Sequence, residues 1–235
     1  MSDLTLVIPA YNEEKRIRST LSSLNKVFGN KINILVVSNG SSDETINILE
    51  NWGKAYKNLK YLDFPEKLGK GGAILEGLKV AKNKYIGYID ADDAFDLNYI
   101  KKIIGDLKKY DMVIASKWKG KSFFRVNEPF LRKFLSRGWN ILVRFILGLK
   151  FRDTQAGAKF FRGEALMNID RNFVCKNFAF DVELLWKLKE KGYSIKEVYV
   201  PTIHREGSTF KTIYVLYMFI SLMKLWWLKC RKIYF

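Results

Sequence analysis

Histidine and cysteine are nearly missing from this 235-residue chain, and so is any long uncharged apolar stretch. The single His204 excludes a zinc site built from several histidines. Cys175 and Cys230 supply neither a disulfide framework nor a cysteine-based metal site. No apolar run reaches the ~20 residues of a membrane-spanning helix; Ile213 to Leu228 comes nearest and is interrupted by Ser221 and Lys224. Met1-Ser2-Asp3 lacks the basic region of a signal peptide, so the chain is expected on the cytoplasmic side, peripheral to any membrane. Gly69-Lys70-Gly71-Gly72 has neither Walker spacing nor the Gly-x-Gly-x-x-Gly pattern, so neither ATP hydrolysis nor dinucleotide binding follows. Acidic residues are scarce: 24 Asp and Glu against 41 Lys and Arg, a formal charge of +17. That excess favours nucleic acid, phosphorylated substrates or an anionic membrane surface. No recognised RNA-binding motif accompanies it, so nucleic acid is not expected as a partner.

The composition that is present, 48% hydrophobic and 15% aromatic, argues for an ordered chain with a sizeable core. Apolar runs at Leu4–Ile8, Ile32–Val37, Leu59–Phe64, Tyr85–Ile89 and Asp111–Ala115 read as strands. Helices are expected between them: Glu13–Val27 capped by Asn12, Ser41 through Ala55, Ala73–Ala81 after a flexible Gly69–Gly72 turn, and Leu97–Leu107. This rhythm predicts an α/β fold with a mostly parallel central sheet flanked by helices. Later, Arg132–Leu147 reads as a basic amphipathic helix, Phe151–Phe161 as a turn entering a strand, Asp181–Lys191 as a helix stopped by Gly192, and Ser194–Val200 as a strand. Residues 1–210 are expected to form the catalytic domain. Residues 211–235 are expected to be an aromatic tail suited to a membrane interface, with a terminal helix packed on the protein or a dimer contact as the alternatives.

The most informative feature is Asp90-Ala91-Asp92-Asp93 at the end of the Tyr85–Ile89 run. Open α/β sheets bind ligands at the carboxyl ends of their strands. Carboxylates so close repel one another unless a cation neutralises them. An all-oxygen set suits Mg²⁺ or Mn²⁺ held together with substrate phosphates. Asp90 and Asp92 are therefore the expected metal ligands, and Asp93 either joins them or caps the next helix.

Val7-Ile8-Pro9-Ala10-Tyr11-Asn12-Glu13-Glu14 resembles the opening of family 2 inverting glycosyltransferases with the GT-A fold, in which this loop lies beside the donor nucleotide. Asp90-Ala91-Asp92 is similar to that family's metal and nucleotide-sugar diphosphate motif, and Leu68–Ala73 to the segment linking the two. Arg152-Asp153-Thr154-Gln155-Ala156-Gly157-Ala158-Lys159-Phe160-Phe161, Phe178–Leu185, Gly192–Val198 and His204–Ser208 resemble dolichyl-phosphate glucosyltransferases. Ser136-Arg137-Gly138-Trp139-Asn140 is similar to a segment shared with dolichyl-phosphate mannose synthases. The resemblance implies inverting transfer of glucose from UDP-glucose to dolichyl (polyprenyl) phosphate, with GDP-mannose or another acceptor as the alternatives.

Residue by residue, the resemblance places Pro9, Ala10, Tyr11, Glu13, Ser38, Asn39, Lys70, Asp90, Ala91 and Asp92 at the nucleotide sugar and its metal. Lys117, Arg132, Arg137 and Arg205 are the phosphate-binding candidates, with His204 as a leaving-phosphate contact. Asp92, Asp153, Asp181, Glu183, Arg137 and Arg205 are the catalytic candidates. Asp181 and Glu183 are spaced i, i+2, which puts them on different helix faces, so both need not enter the site. Two departures stand out. Ser38-Asn39 replaces a pair of aspartates, which leaves uridine or guanosine open as the base; Ala115-Ser116-Lys117 replaces Gly-Ser-Arg, which keeps charge but loses the planar phosphate clamp.

Overall fold

The structure, a computed structural model, describes residues 3–92, 94–126, 129–202 and 213–231. Its first half is a run of β/α units: β1 (Leu4–Ala10), α1 (Ile17–Phe28), β2 (Asn33–Asn39), α2 (Thr45–Ala55), β3 (Leu59–Phe64), α3 (Gly69–Val80), β4 (Tyr85–Ile89), α4 (Leu97–Ile104) and β5 (Met112–Ser116). Then come α5 (Phe130–Leu147), β6 (Ala158–Arg162), α6 (Gly163–Met167), α7 (Phe180–Glu190), β7 (Ile195–Tyr199) and α8 (Ile213–Cys230). The strands form one sheet in the order β3-β2-β1-β4-β6-β5-β7. It is mostly parallel, as its β/α rhythm implies, but β6 runs against both β4 and β5.

β1 is buried along its whole length because helices cover both faces of the sheet. Alternation assigns its side chains: Leu6 and Ile8 face α1, α2 and α4, whereas Val7 faces α3, α5, α7 and α8. The same alternation places Phe160 of β6 on the first face, and Phe161 with Tyr88 of β4 on the second. Since period two governs the strand, Lys159 lies on the second face too, beneath α7.

Three local differences from the sequence pattern have physical causes. The first helix begins at Ile17, not Glu13, because the preceding loop bonds elsewhere. Asn12 sits at φ 53 and accepts from the Ser42 amide, while the Glu13 and Glu14 amides donate to Thr45 Oγ1 and Asp43 Oδ2. Gly69–Gly72 is the first turn of α3 rather than a flexible linker. A Cβ on Gly71 would lie 2.4 Å from Phe180 Cβ, so glycine lets the Lys176–Phe180 backbone come close. Finally, α7 is buried from Phe180 to Leu188, Asp181, Glu183 and Lys187 included, so it has no polar outer face over that span.

α5 and α8 pack together, with Trp139, Val143 and Leu147 in the same core cluster as Met218, Leu222 and Leu225. Among the described residues no helix is long and apolar enough to cross a membrane.

Candidate active site

Parallel strands β1, β2 and β4 end at one sheet edge, and this topology gathers the predicted donor residues there. Asp90 follows β4 directly. Its amide donates to Gly157 O at 2.9 Å, and a Cβ on Gly157 would fall 2.1 Å from Asp90 Oδ2. Glycine at 157 is thus what gives the Asp90 carboxylate its space. Lys70, in the first turn of α3, meets that carboxylate at 2.7 Å (Oδ1) and 3.0 Å (Oδ2). Burial raises the pKa of Asp90; Lys70 opposes the rise and Asp92 adds to it. Burial also pulls Lys70 down, but Asp90, Asp181 and Asp92 outweigh it and hold the ammonium above its ordinary value. Asp92 accepts from the Ala94 amide through Oδ1, and Ala91 O accepts from Thr20 Oγ1 at 2.7 Å.

The β1 and β2 ends lock to each other. Asn39 Nδ2 donates to Ala10 O at 2.9 Å, and Ser38 Oγ donates to Ser41 Oγ at 3.1 Å. Both residues are buried, so their hydrogen-bonding atoms brace the loop that follows Pro9 and Ala10. Tyr11 is exposed, with the Lys67 ammonium 3.8 Å from its ring centroid. Glu13 forms a two-oxygen pair with Arg16 at 2.7 and 2.9 Å. Burial raises its pKa against the pull of Arg16, and Asp92 and Asp90 add to the rise, which places Glu13 in the field of the acidic tip.

The second half reaches the site through hydrogen bonds. Asp153 is buried and accepts from the Lys117 amide at 3.1 Å, while its own amide donates to Glu197. Burial raises the pKa of Asp153 against the attraction of Lys117 and Lys159. Asn140 Oδ1 accepts from both Thr154 N (2.9 Å) and Thr154 Oγ1 (2.8 Å), tying α5 to this turn. Arg137, one helical turn earlier, lies 5.0 Å from the Trp118 ring centroid, and Trp118 Nε1 donates to Ser136 Oγ. Arg132 is exposed at the start of α5. Arg205 and His204 lie outside the described residues.

Asp181 and Glu183 part company. Asp181 Oδ1 accepts from the Tyr88 hydroxyl and from Lys159 Nζ, the latter at 2.5 Å. Glu183 accepts from the Val174 and Cys175 amides at 3.1 and 2.7 Å and pairs with Lys187 at 3.4 Å. It braces the chain entering α7 rather than the sheet edge. Sequence reasoning gave no role to Lys159, Tyr88 or Gly157. The visible signal was a lysine inside the apolar strand Ala158–Phe161.

Among the described residues no cluster of three or more His, Cys, Asp or Glu is arranged to hold a metal. Asp92, with Asp90 beside it under Lys70, supplies the carboxylates at this edge that could hold Mg²⁺ or Mn²⁺. These ions take one or two protein carboxylates and complete their coordination with substrate phosphates and water.

The glycosyl transferase family 2 model matches residues 5–170. The dolichyl-phosphate beta-glucosyltransferase ALG5A of Trichomonas vaginalis is 32% identical over 94% of this chain and 72% of its own. The dolichyl-phosphate beta-glucosyltransferase of Saccharomyces cerevisiae is 29% identical over 87% and 68%. Among solved structures, glucosyl-3-phosphoglycerate synthase of Mycobacterium tuberculosis, in complex with Mn²⁺, UDP-glucose and phosphoglyceric acid, superposes with a TM-score of 0.68 at 17% identity, covering 94% of this chain and 78% of that one. With the family model spanning most of the sheet and the acidic strand tip at its edge, the chain belongs to glycosyltransferase family 2 and is a nucleotide-sugar-dependent transferase of the GT-A fold.

Proposed function

We propose that the protein transfers glucose from UDP-glucose to a polyprenyl phosphate at the cytoplasmic face of a membrane, with inversion at the anomeric carbon. One observation supports the membrane-borne acceptor: among the described residues, the two helices with the most exposed apolar surface pack on each other, and one of them is tied to the site. On α5, Phe130, Phe134 and Phe145 are 72%, 62% and 82% exposed; on α8, Leu216, Tyr217 and Trp226 are 55%, 56% and 48% exposed. α5 reaches the site through Asn140 and Thr154. α8 meets the chain entering α7, where the Tyr214 ring lies 5.2 Å from Phe178. Arg132, Lys133, Arg144, Lys229 and Arg231 flank these faces. Apolar and aromatic residues bordered by cations suit an anionic bilayer surface. The likeness to dolichyl-phosphate beta-glucosyltransferases supports a dolichyl-type phosphate as acceptor and glucose as the transferred sugar.

A phosphate monoester is largely a dianion above its second pKa, near ~6, so the acceptor oxygen needs no general base. It attacks the anomeric carbon as the bond to the β-phosphate oxygen breaks, and UDP departs with the bonding electrons. An α-linked donor becomes a β-linked lipid product. Asp92, with Asp90 beside it, would hold Mg²⁺ or Mn²⁺, which offsets the charge developing on the leaving diphosphate. Lys70 adds a fixed cation at the same edge. Arg137, stacked on Trp118, is the clamp for the incoming phosphate. Asp181 is enclosed with Lys159 and Tyr88, which fits a role in shaping the site's charge rather than in proton transfer.

The test supplies purified protein with vesicles carrying polyprenyl phosphate, Mg²⁺ or Mn²⁺, and either UDP-glucose or GDP-mannose. Sugar-bearing lipid is read by mass spectrometry, with Asp92→Asn as the control. Metal-dependent product from UDP-glucose is expected. Product from GDP-mannose alone would reassign the donor. Product only with a soluble phosphate ester, such as phosphoglycerate, would remove the lipid from the reading.

A further inference from the structure

A lysine lies sealed inside the sheet where no step above uses it. β6 enters antiparallel between β4 and β5, and its register sets Lys159 opposite Tyr88 on one side and Ile114 on the other. Lys159 is 0% exposed. An ammonium removed from water demands a counter-charge and hydrogen bonds. It finds them in Asp181 Oδ1 at 2.5 Å and Ala156 O at 2.6 Å. The Tyr88 hydroxyl donates to the same Asp181 oxygen.

Asp181 acts electrostatically on a second ammonium as well, that of Lys70. Lys70 is therefore within the field of three carboxylates, Asp90, Asp181 and Asp92, and its contacts go to Asp90. Lys159 already occupies Asp181 Oδ1, whereas both Asp90 oxygens meet Lys70. Burial pulls the Lys159 pKa down and Lys70 adds to that, while Asp181 and Asp153 oppose it, as expected for two ammonium groups sharing one buried carboxylate. The charged and titratable groups around this point are Lys70, Asp90, Asp92, Asp153, Lys159, Asp181 and Tyr88.

We infer that Lys159 is a positioning residue for the donor site: paired with Asp181, it keeps the Lys70 ammonium at the sheet edge beside Asp90, where a nucleoside diphosphate binds. With Lys159 neutral, the bare Asp181 charge draws Lys70 inward, away from the diphosphate. This deepens the proposed donor site and uses no property of the acceptor, so it stands or falls without lipid.

The experiment measures calorimetric binding of UDP, and of GDP in parallel, to the full chain with Mn²⁺. Lys159→Met is expected to weaken the preferred nucleotide about tenfold, a change of ~1.4 kcal/mol. Lys159→Gln, which keeps a donor to Asp181 without the charge, is expected to do the same and serves if the methionine variant fails to fold. The combined Lys159→Met, Asp181→Asn variant removes both charges and is expected to bind several-fold more tightly than Lys159→Met alone. Recovery of this kind separates positioning from mere structural damage, because a second core substitution would otherwise add to the loss. Wild-type affinity in Lys159→Gln overturns the inference, and so does a combined variant as weak as the single one. Tight nucleotide binding without any lipid product would instead overturn the acceptor reading alone.

Discussion

Asp92 and Asp181 both act on the Lys70 ammonium, yet among the described residues the first has no ion pair and the second is held by Lys159. Asp92 stands at the end of β4 with one oxygen on the Ala94 amide. Asp181 is enclosed under the sheet with an ammonium and a phenol on a single oxygen. The difference lies in where the lysines go. Nearby lysines are not spread evenly over the carboxylates: Lys159 goes to Asp181 and Lys70 to Asp90. Asp92 has no salt bridge among the described residues, which suits a group whose partner arrives with the substrate.

The comparison breaks most sharply at Asp92. Asp92→Asn is expected to lower kcat for sugar transfer by at least about 100-fold, with an unchanged melting temperature, because a group held for the leaving diphosphate contributes little to folding. Steady-state assay and thermal melting together check this. A smaller but mixed effect is expected from Gly157→Ala. The new methyl collides with Asp90 Oδ2, so metal-dependent UDP binding weakens about tenfold and stability falls by about 2 kcal/mol. Calorimetry and urea unfolding read the two parts.

Glu183→Gln sharpens the contrast from the other side. One of two amide hydrogen bonds is lost inside the core, so stability falls by about 2 kcal/mol while UDP affinity holds. A fall in affinity without a fall in stability would move Glu183 into the site. The smallest effect belongs to a carboxylate at the far end of β5. Burial pushes Asp111 up, but the Ser194 hydroxyl and amide and Arg162 outweigh it and hold it below the ordinary carboxylate range. A depressed carboxylate adds stability above its unfolded value of ~3.9 and loses it as pH falls through the folded value. Ser194→Ala is therefore expected to cost about 0.5–1 kcal/mol at pH 7, and the deficit should shrink below about pH 4. Urea melts at several pH values check the sign.

These contrasts also mark what the sequence could and could not reveal. The place of Asp90 and Asp92 at the end of β4 was legible because a short apolar run in a β/α chain reads as a strand, and strands such as Leu59–Phe64 declared themselves by composition and turn residues. Gly69–Gly72 was not legible as helix. Its glycines have poor helical propensity, and their reason lies in Lys176–Phe180, about a hundred residues away. Lys159 and Tyr88 were hidden for the same cause: their juxtaposition depends on the antiparallel insertion of β6, which no local pattern encodes. Asp181 and Glu183 could be named but not told apart, because i, i+2 spacing separates faces only on a helix with a wet side, and α7 is buried over both.

The late arrival of β6 also gives the protein an order of assembly. A growing chain that has emerged only through β5 already carries Asp90 and Asp92. It lacks the Gly157 carbonyl that fixes the Asp90 amide and the Lys159–Asp181 pair beneath Lys70. The acidic tip is made early and its setting late, so a ribosome-bound or truncated N-terminal half holds the carboxylates of a transferase without the site.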